Sequence, residues 1–573
     1  MKGGFTLATI GIDLGTTNSL AAVWQDHQAV LIPNVFDEYL TPSVVSVDDN
    51  GEILVGKIAK ERLITHPDAT VSVFKRFMGT KKQYTLGGYA FSPVDLSAFV
   101  IGELKCDAEV FLGEPVHHAV ISVPAYFNDA QRRATKQAAE LAGLQVERLV
   151  SEPTAAALAH GLNEKGTDTS FLIFDLGGGT FDVSILELFS GVFEVKSIAG
   201  DNDLGGEDFT HVLMADFLVS HQLEKDALDA KTYARLYAEA ERCKIGFGQN
   251  EEGMITLDLN GSIYEKAYTA ADYEKLCTPL ILRLRQPIER ALRDADLEPD
   301  ELDAAVLIGG ATRMPMIRNI LQKMLGIKPV SHMDPDQTVA AGTAVQAALI
   351  ERNAVLDEVI LTDVCPFTLG TDISKQKDNG EYEHGYFFPI IERNTPIPVS
   401  RSERLYTIRD NQTRLVVGVY QGESRLVQDN LRIGELAVSV PKGPAGEQAI
   451  DVRYTYDVNG ILEVDVTIVK TQENKTAIIE QRPGELSKED VQKRLAELAG
   501  IKIHPRDRSE NRLLLARGER LYEELIGERR QHVGQLLHQF ERALARQEEN
   551  EVKKAAVLLE AQLELVERGM VME

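Results

Sequence analysis

Residues 171–186 read FLIFDLGGGTFDVSIL: an apolar run, Asp175, three glycines, Thr180, Asp182, then a second apolar run. Two strands joined by a glycine turn is the arrangement this pattern supports. Side chains at three successive positions would hold the backbone off any ligand, so Gly177, Gly178 and Gly179 are expected to leave amides free to approach an anion. A phosphate meets that description. Asp175, ending the first strand, would then face the same anion, which requires a cation such as magnesium between the two. Taken alone, a glycine-rich hairpin is also an ordinary structural turn.

The chain repeats the pattern. Residues 10–19, IGIDLGTTNS, again give an apolar strand, with Asp13 matching Asp175 and Gly15-Thr16-Thr17 standing where the triple glycine and Thr180 stand. After the first hairpin comes AVISVPAYFNDAQRRATKQAAELAGL, and after the second AAVLIGGATRMPMIRNILQKMLGI, each read as strand, loop and helix. Each is followed by an acid, a proline and a small-residue helix reaching glycine, from Glu152-Pro153 to Gly161 and from Asp334-Pro335 to Gly342. This is an internal duplication of an α/β unit. Two facing lobes, each offering a phosphate hairpin, imply a nucleotide clamped between them.

Composition sets bounds on what such a chain does. Its 573 residues suffice for several domain-sized units. Lys plus Arg number 61 against 88 Asp plus Glu, a net charge of −27, which argues against nucleic acid or an anionic membrane as the main partner. Cys106, Cys243, Cys277 and Cys365 lie far apart without metal-ligand spacing, as expected in a reducing compartment. The start MKGGFTLATIGID has no signal-peptide core, and no apolar run reaches membrane-spanning length, so a cytoplasmic location is expected.

Residues 1–356 hold the duplicated part, with a charged helical insertion in which YARLYAEAERCKIGFG puts Glu241 and Lys244 on adjacent faces. In isolation these two read as surface charges. Residues 357–363, DEVILTD, are too short for a domain and unusually apolar for a linker. From 364 to 486 the period changes to two, in RLVVGVYQGE and in AIDVRYTYDV and ILEVDVTIV flanking Asn459-Gly460, a hairpin signal. A capping box, Ser487 to Asp490, then opens a helical segment that runs to residue 573.

In this order the features resemble the seventy-kilodalton heat-shock chaperone family over nearly the whole chain. DLGTT, DLGGGTFD, VPAYFNDAQR, EPTAAAL, LGGEDF and IGGATRMP carry the resemblance. It implies an α/β actin-like duplicated ATPase domain, an apolar linker, a β-sandwich that binds peptide and a short α-helical lid. The short lid, without an acidic tail, suggests a specialised bacterial branch such as HscC. A small-molecule kinase and a filament-forming actin relative are the alternatives on the same duplicated fold, but neither accounts for the linker, the β domain or the lid.

Residue by residue, the resemblance implies that Asp13 and Asp175 hold magnesium through water, while Gly15, Thr16, Thr17, Gly177, Gly178, Gly179 and Thr180 cradle phosphates. Lys75, in VFKRFMG, matches the family's catalytic lysine; without the resemblance it reads as a surface lysine. Glu152 and Asp182 complete the acidic set, with Asp175 and Thr180 counted among the catalytic groups. Adenosine contacts fall on Glu241, Lys244, Gly309, Gly310, Arg313 and Asp336. Pro124 and Arg132 match the pair that relays nucleotide state to the linker residues Ile360, Leu361 and Asp363. Ile408, Leu415 and Val417 match positions lining the peptide pocket. ATP or ADP with magnesium is the implied ligand set, with potassium admitted beside it. The implied partners are client polypeptides and a dedicated J-domain cochaperone, for a chain expected to be monomeric.

Two departures stand out. Gly248 occupies the place of an adenine-binding serine, and Ser151 that of an asparagine used to dock the J-domain protein. In addition, GQNEEGMITLDLNG is short where the family carries the hairpin that meets its exchange factor, so that factor is expected to be dispensable, and QKDNGEYEHG reads as an insertion near the peptide-arch loop.

Overall fold

The structure, a computed structural model, describes residues 8–161, 169–189, 192–259, 261–330, 333–351, 360–377, 381–457, 460, 462–478, 509–525, 527–546 and 549–567. The Ser487–Asp490 capping box, the linker residues 357–359 and Asn459 lie outside them.

The duplication is visible strand for strand. In the first copy Thr9–Asp13 runs antiparallel to Asn18–Gln25, which pairs with Gln28–Ile32, and His118–Val123 joins Thr9–Asp13 in parallel. In the second copy Thr169–Leu176, Phe181–Phe189, Val192–Asp201 and Ala304–Ile308 repeat that order and those directions. Parallel strands need a long crossover, and helices Asp129–Leu141 and Pro315–Leu325 follow the two parallel strands at matching places. The alanine-rich helices Glu152–Gly161 and Thr338–Ile350 pack against each other between the sheets. Small residues are required at that crossing: a Cβ built on Gly342 would lie 1.7 Å from the carbonyl oxygen of Ala155.

Strand Ile360–Val364 extends the second sheet. It pairs in parallel with Val192–Asp201, Val192 opposite Ile360 and Phe193 opposite Leu361, and antiparallel with Pro396–Ile397 of the next unit. The apolar stretch expected as a linker thus forms a strand shared by two units. Beyond it, two four-stranded antiparallel sheets enclose a core of Val417, Val419, Ile433, Leu436, Val452, Tyr454, Val464 and neighbours. Strands Ala449–Tyr456 and Leu462–Ile468 form the hairpin expected around Gly460, whose φ of +79° is the left-handed conformation a tight turn asks of glycine.

One expectation needs correction. The insertion is not wholly helical: Glu252–Leu259 and Ser262–Thr269 form an eight-residue-per-strand hairpin, because Ile255 and Leu257 have a buried face to fill against helix Ala230–Gly246. The C-terminal helices Ser509–Glu524, Gly527–Arg546 and Glu549–Glu567 share their own apolar core, and the first of them packs on helix Lys57–Thr65 of the first copy.

Candidate nucleotide site between the two copies

The two hairpins face each other across a cavity of about 850 Å³, within the range of a small-molecule site. Asp13, Gly15, Thr16, Thr17, Lys75 and Glu152 line one side, and Asp175, Gly177, Gly178, Thr180, Glu241 and Lys244 the other. Gly248, Gly309, Gly310, Arg313 and Asp336 line it as well. Residues separated by more than three hundred positions thus converge as the duplication requires.

The triple glycine works differently from the sequence expectation. The amide of Gly177 closes the turn on the carbonyl of Thr180 at 3.1 Å, so it is not free. Gly178 and Gly179 are glycines because the opposing hairpin leaves no room. A Cβ on Gly178 would lie 2.0 Å from Thr17 Oγ1, and one on Gly179 would lie 2.8 Å from the Thr16 side chain. The carbonyls of Gly177 and Gly178 accept from the amides of Gly206 and Glu207, both at 2.9 Å. The first turn of helix Gly206–Ser220 therefore fixes the peptide planes of the hairpin, which explains LGGEDF as a structural partner of DLGGGTFD.

Lys75 is no surface lysine. It is 3% exposed, its ammonium 2.9 Å from Glu152 Oε1 and 5.5 Å from the centre of the Phe127 ring. Around it stand more carboxylates than one cation balances. Burial and then Glu152 push the Asp13 carboxyl up to about 7, and the same two causes push Asp182 up to about 7. Asp175 is held well above its ordinary value by burial and by Glu152, Asp182 and Asp13. Ser122 donates to Asp13 Oδ1 at 2.7 Å and the Tyr126 amide to Asp182 Oδ1 at 2.9 Å, but Asp182 Oδ2 is buried without a partner. A buried acceptor without a partner amid surplus negative charge suits a bound cation. Among the described residues no three His, Cys, Asp or Glu side chains converge to ligate a metal directly.

On the second-copy side of the cavity, Lys244 is buried too, contrary to its reading as a surface charge. It pairs with Glu241 at 2.7 Å and donates to the Gly206 carbonyl and to Thr210 Oγ1. Arg313 pairs with Asp336 at 2.8 Å and with Asp334. Gly309, at φ +81°, has Leu176 O only 2.4 Å from an added Cβ, so the IGG turn lies tight on the second hairpin.

Arg132 is buried and donates to the carbonyls of Ala125 and Phe127. Its Cδ is 3.1 Å from a Cβ built on Gly460 in the sandwich. Asp363 is raised by burial, and Arg132, Arg148 and Ser151 oppose that shift, so the shared strand lies within reach of these three groups. Pro124 is buried, and its carbonyl accepts from the amide of Phe127. Sequence reasoning missed Tyr126, whose amide bonds Asp182 while its ring sits 4.4 Å from that of Phe367 in the next unit. Its place two residues after Pro124 was the available signal. In the sandwich, Ile408 and Leu415 are half-buried, and strand alternation sends Leu415 and Val417, the latter only 2% exposed, to the same core face while Val416 between them is exposed.

A nucleotide cleft between two copies of one α/β unit, joined through a shared strand to a β-sandwich and a helical bundle, defines an ATPase built to act on a second domain. The chain belongs to the Hsp70 family: the family model described as Hsp70 protein matches residues 9–86 and 80–570. It is 40% identical over 499 residues, 84% of this chain and 82% of the other, to a chaperone protein DnaK from Thermosipho melanesiensis. The chain is accordingly an ATP-dependent chaperone and an ATPase that takes ATP with magnesium, and the kinase and filament readings are not favoured.

Proposed function

We propose that this chain is an ATP-driven peptide clamp in which the strand Ile360–Val364 carries nucleotide state from the cleft to the sandwich. One observation carries the reading: that strand pairs with the ATPase sheet on one edge and with the sandwich unit on the other. Reinforcement comes from Arg393, whose guanidinium donates to both oxygens of Asp294 at 2.9 and 2.8 Å and to Glu423 at 2.8 Å. In this reading residues 1–356 bind nucleotide, 357–363 couple, 364–486 bind extended apolar segments of client polypeptides, and 487–573 form the lid. Ile408 and Leu415 meet the client, with Val417 beneath them.

Within the cleft, Lys75 orients the attacking water and offsets charge on the phosphates, while Glu152, Asp175, Thr180 and Asp182 position water and the magnesium shell. Asp13 and Asp175 hold the ion through water. Magnesium, when bound with ATP, neutralises charge on the phosphates. The surplus of carboxylates over cations accommodates potassium too. Pro124 and Arg132 relay the state of the cleft to Asp363. A J-domain protein is the cochaperone, a dedicated one because Ser151 is buried and faces Asp363. The chain acts as a cytoplasmic monomer of a specialised branch such as HscC. Among the described residues, no helix is long and apolar enough to cross a membrane.

The coupling is tested with a labelled apolar peptide. Its affinity should be about 5- to 150-fold weaker with ATP than with ADP, the usual span of allosteric coupling. Equal affinity in both states, measured by fluorescence anisotropy, would overturn the clamp.

Gly248 bears on exchange. It lines the cavity beside Ile245 and Lys244, and a Cβ placed there lies 3.2 Å from the Ile245 carbonyl, so serine fits after a shift of a few tenths of an ångström. One added hydrogen bond to adenosine should slow ADP release about 2- to 13-fold. Stopped-flow release of fluorescent ADP from Gly248→Ser reads this directly, and an unchanged rate removes Gly248 from the exchange step. Fast unaided release is why an exchange factor is dispensable here.

A further inference from the structure

Helix Ser509–Glu524 touches both walls of the nucleotide cleft. On the first copy, Leu513 joins Val44, Leu54, Ile58 and Ala59 in one apolar cluster, and Arg520 pairs with the buried Glu61 of helix Lys57–Thr65. On the second copy, Glu523 pairs with Lys231 at 3.1 Å and Arg235 at 3.3 Å, and Glu524 with Arg242 at 3.5 Å. Lys231, Arg235 and Arg242 all belong to helix Ala230–Gly246, spaced four and seven residues apart, and so share one stripe of it. The opposite stripe, Tyr237, Glu241 and Lys244, lines the cavity.

That geometry has a mechanical consequence. For the cleft to open, helix Ala230–Gly246 must move away from helix Lys57–Thr65, and helix Ser509–Glu524 is fastened to both. Arg520 also pairs with Glu524 and Glu567, which ties the spanning helix into its own bundle and keeps it straight across the gap. The attachment to the first copy is apolar and partly buried, whereas the attachment to the second is made of half-exposed ion pairs. The second is the weaker end, and it is where the latch would open.

We propose that helix Ser509–Glu524, docked as it is here, latches the two lobes together and limits the rate at which nucleotide leaves the cleft, with Glu523 as the detachable contact. The inference rests on the assignment of the cavity as the ATPase site, and it adds a role for the C-terminal bundle that does not involve the client. Undocking of the bundle frees the lobes to part, so lid position and nucleotide release are linked.

The test uses the full chain loaded with a fluorescent, non-hydrolysable ATP analogue and chased with excess ATP. Glu523→Lys places a cation against Lys231 and Arg235, and losing these exposed pairs should speed analogue release about three- to tenfold. Lys231→Glu with Arg235→Glu should do the same. Combining all three changes restores opposite charges and should return release to within about twofold of the parent, since paired charges recover their coupling when both partners are reversed. Unchanged release in Glu523→Lys would overturn the latch, as would acceleration that the triple variant fails to reverse. A parent chain that bound no analogue would overturn the ATPase assignment, and the latch with it.

Discussion

Lys75→Ala should bind ATP within a few-fold of the parent and hydrolyse it about 10²- to 10³-fold more slowly, the loss typical of removing one preorganised electrostatic group. Glu241, Lys244, Gly310 and Arg313, the proposed adenosine contacts, are untouched by the change, and so are both hairpins. What is lost is the ammonium held 2.9 Å from Glu152 beside Asp13 and Asp175. Removing the cation from a buried pair also has a structural cost, because Glu152 is left buried without its partner. Two readouts separate the effects. Single-turnover hydrolysis with ATP prebound reports chemistry, and the shift in thermal midpoint on adding magnesium and ATP reports binding. Near-normal single-turnover hydrolysis would remove Lys75 from the reaction; a lost thermal shift would mean that it serves binding instead.

The parts of this site that were legible in the sequence are those fixed by repetition. Asp13 and Asp175 end equivalent strands, so finding the duplication was enough to set them across one cleft. The glycines of 177–179 were singled out for phosphate approach, whereas the contact of Gly178 and Gly179 with Thr17 and Thr16 arises only when the two lobes meet. Lys75 and Lys244 carry no local signal of burial, since nothing in VFKRFMG or AERCKIGFG shows that a second lobe will cover them. Tyr126 joins Asp182 to Phe367 through one backbone amide and one ring, a link that depends on three separate units packing together. The pairing of Arg520 with Glu61 spans 459 positions, beyond any periodicity.

Changing Ile360 and Leu361 together to aspartate should leave ATP binding intact and abolish ATP-triggered peptide release. In the docked arrangement these two residues stand opposite Val192 and Phe193 at the edge of the ATPase sheet, and the next residue, Thr362, stands opposite Glu194. Aspartate is among the poorest strand formers, and two replacements of apolar strand formers lower docking by about 2 kcal/mol, or roughly thirtyfold in the equilibrium. Added negative charge beside Glu194 acts in the same direction. Asp175 and Thr180, the proposed nucleotide contacts, lie at the far end of the same sheet, so affinity for ATP should change by less than about twofold, as expected of separated sites. ATP can drive the sandwich only through a state it binds preferentially, and with the strand undocked the two domains share no such state through that route. The bidentate Arg393 to Asp294 contact, joined to Glu423, would remain and tether the domains, so peptide release rather than domain separation is the readout. Peptide release after ATP addition, followed by fluorescence anisotropy, should therefore fall to the rate seen with ADP. Release as fast as in the parent would show that the Arg393 and Tyr126 contacts carry the signal and that the strand merely connects.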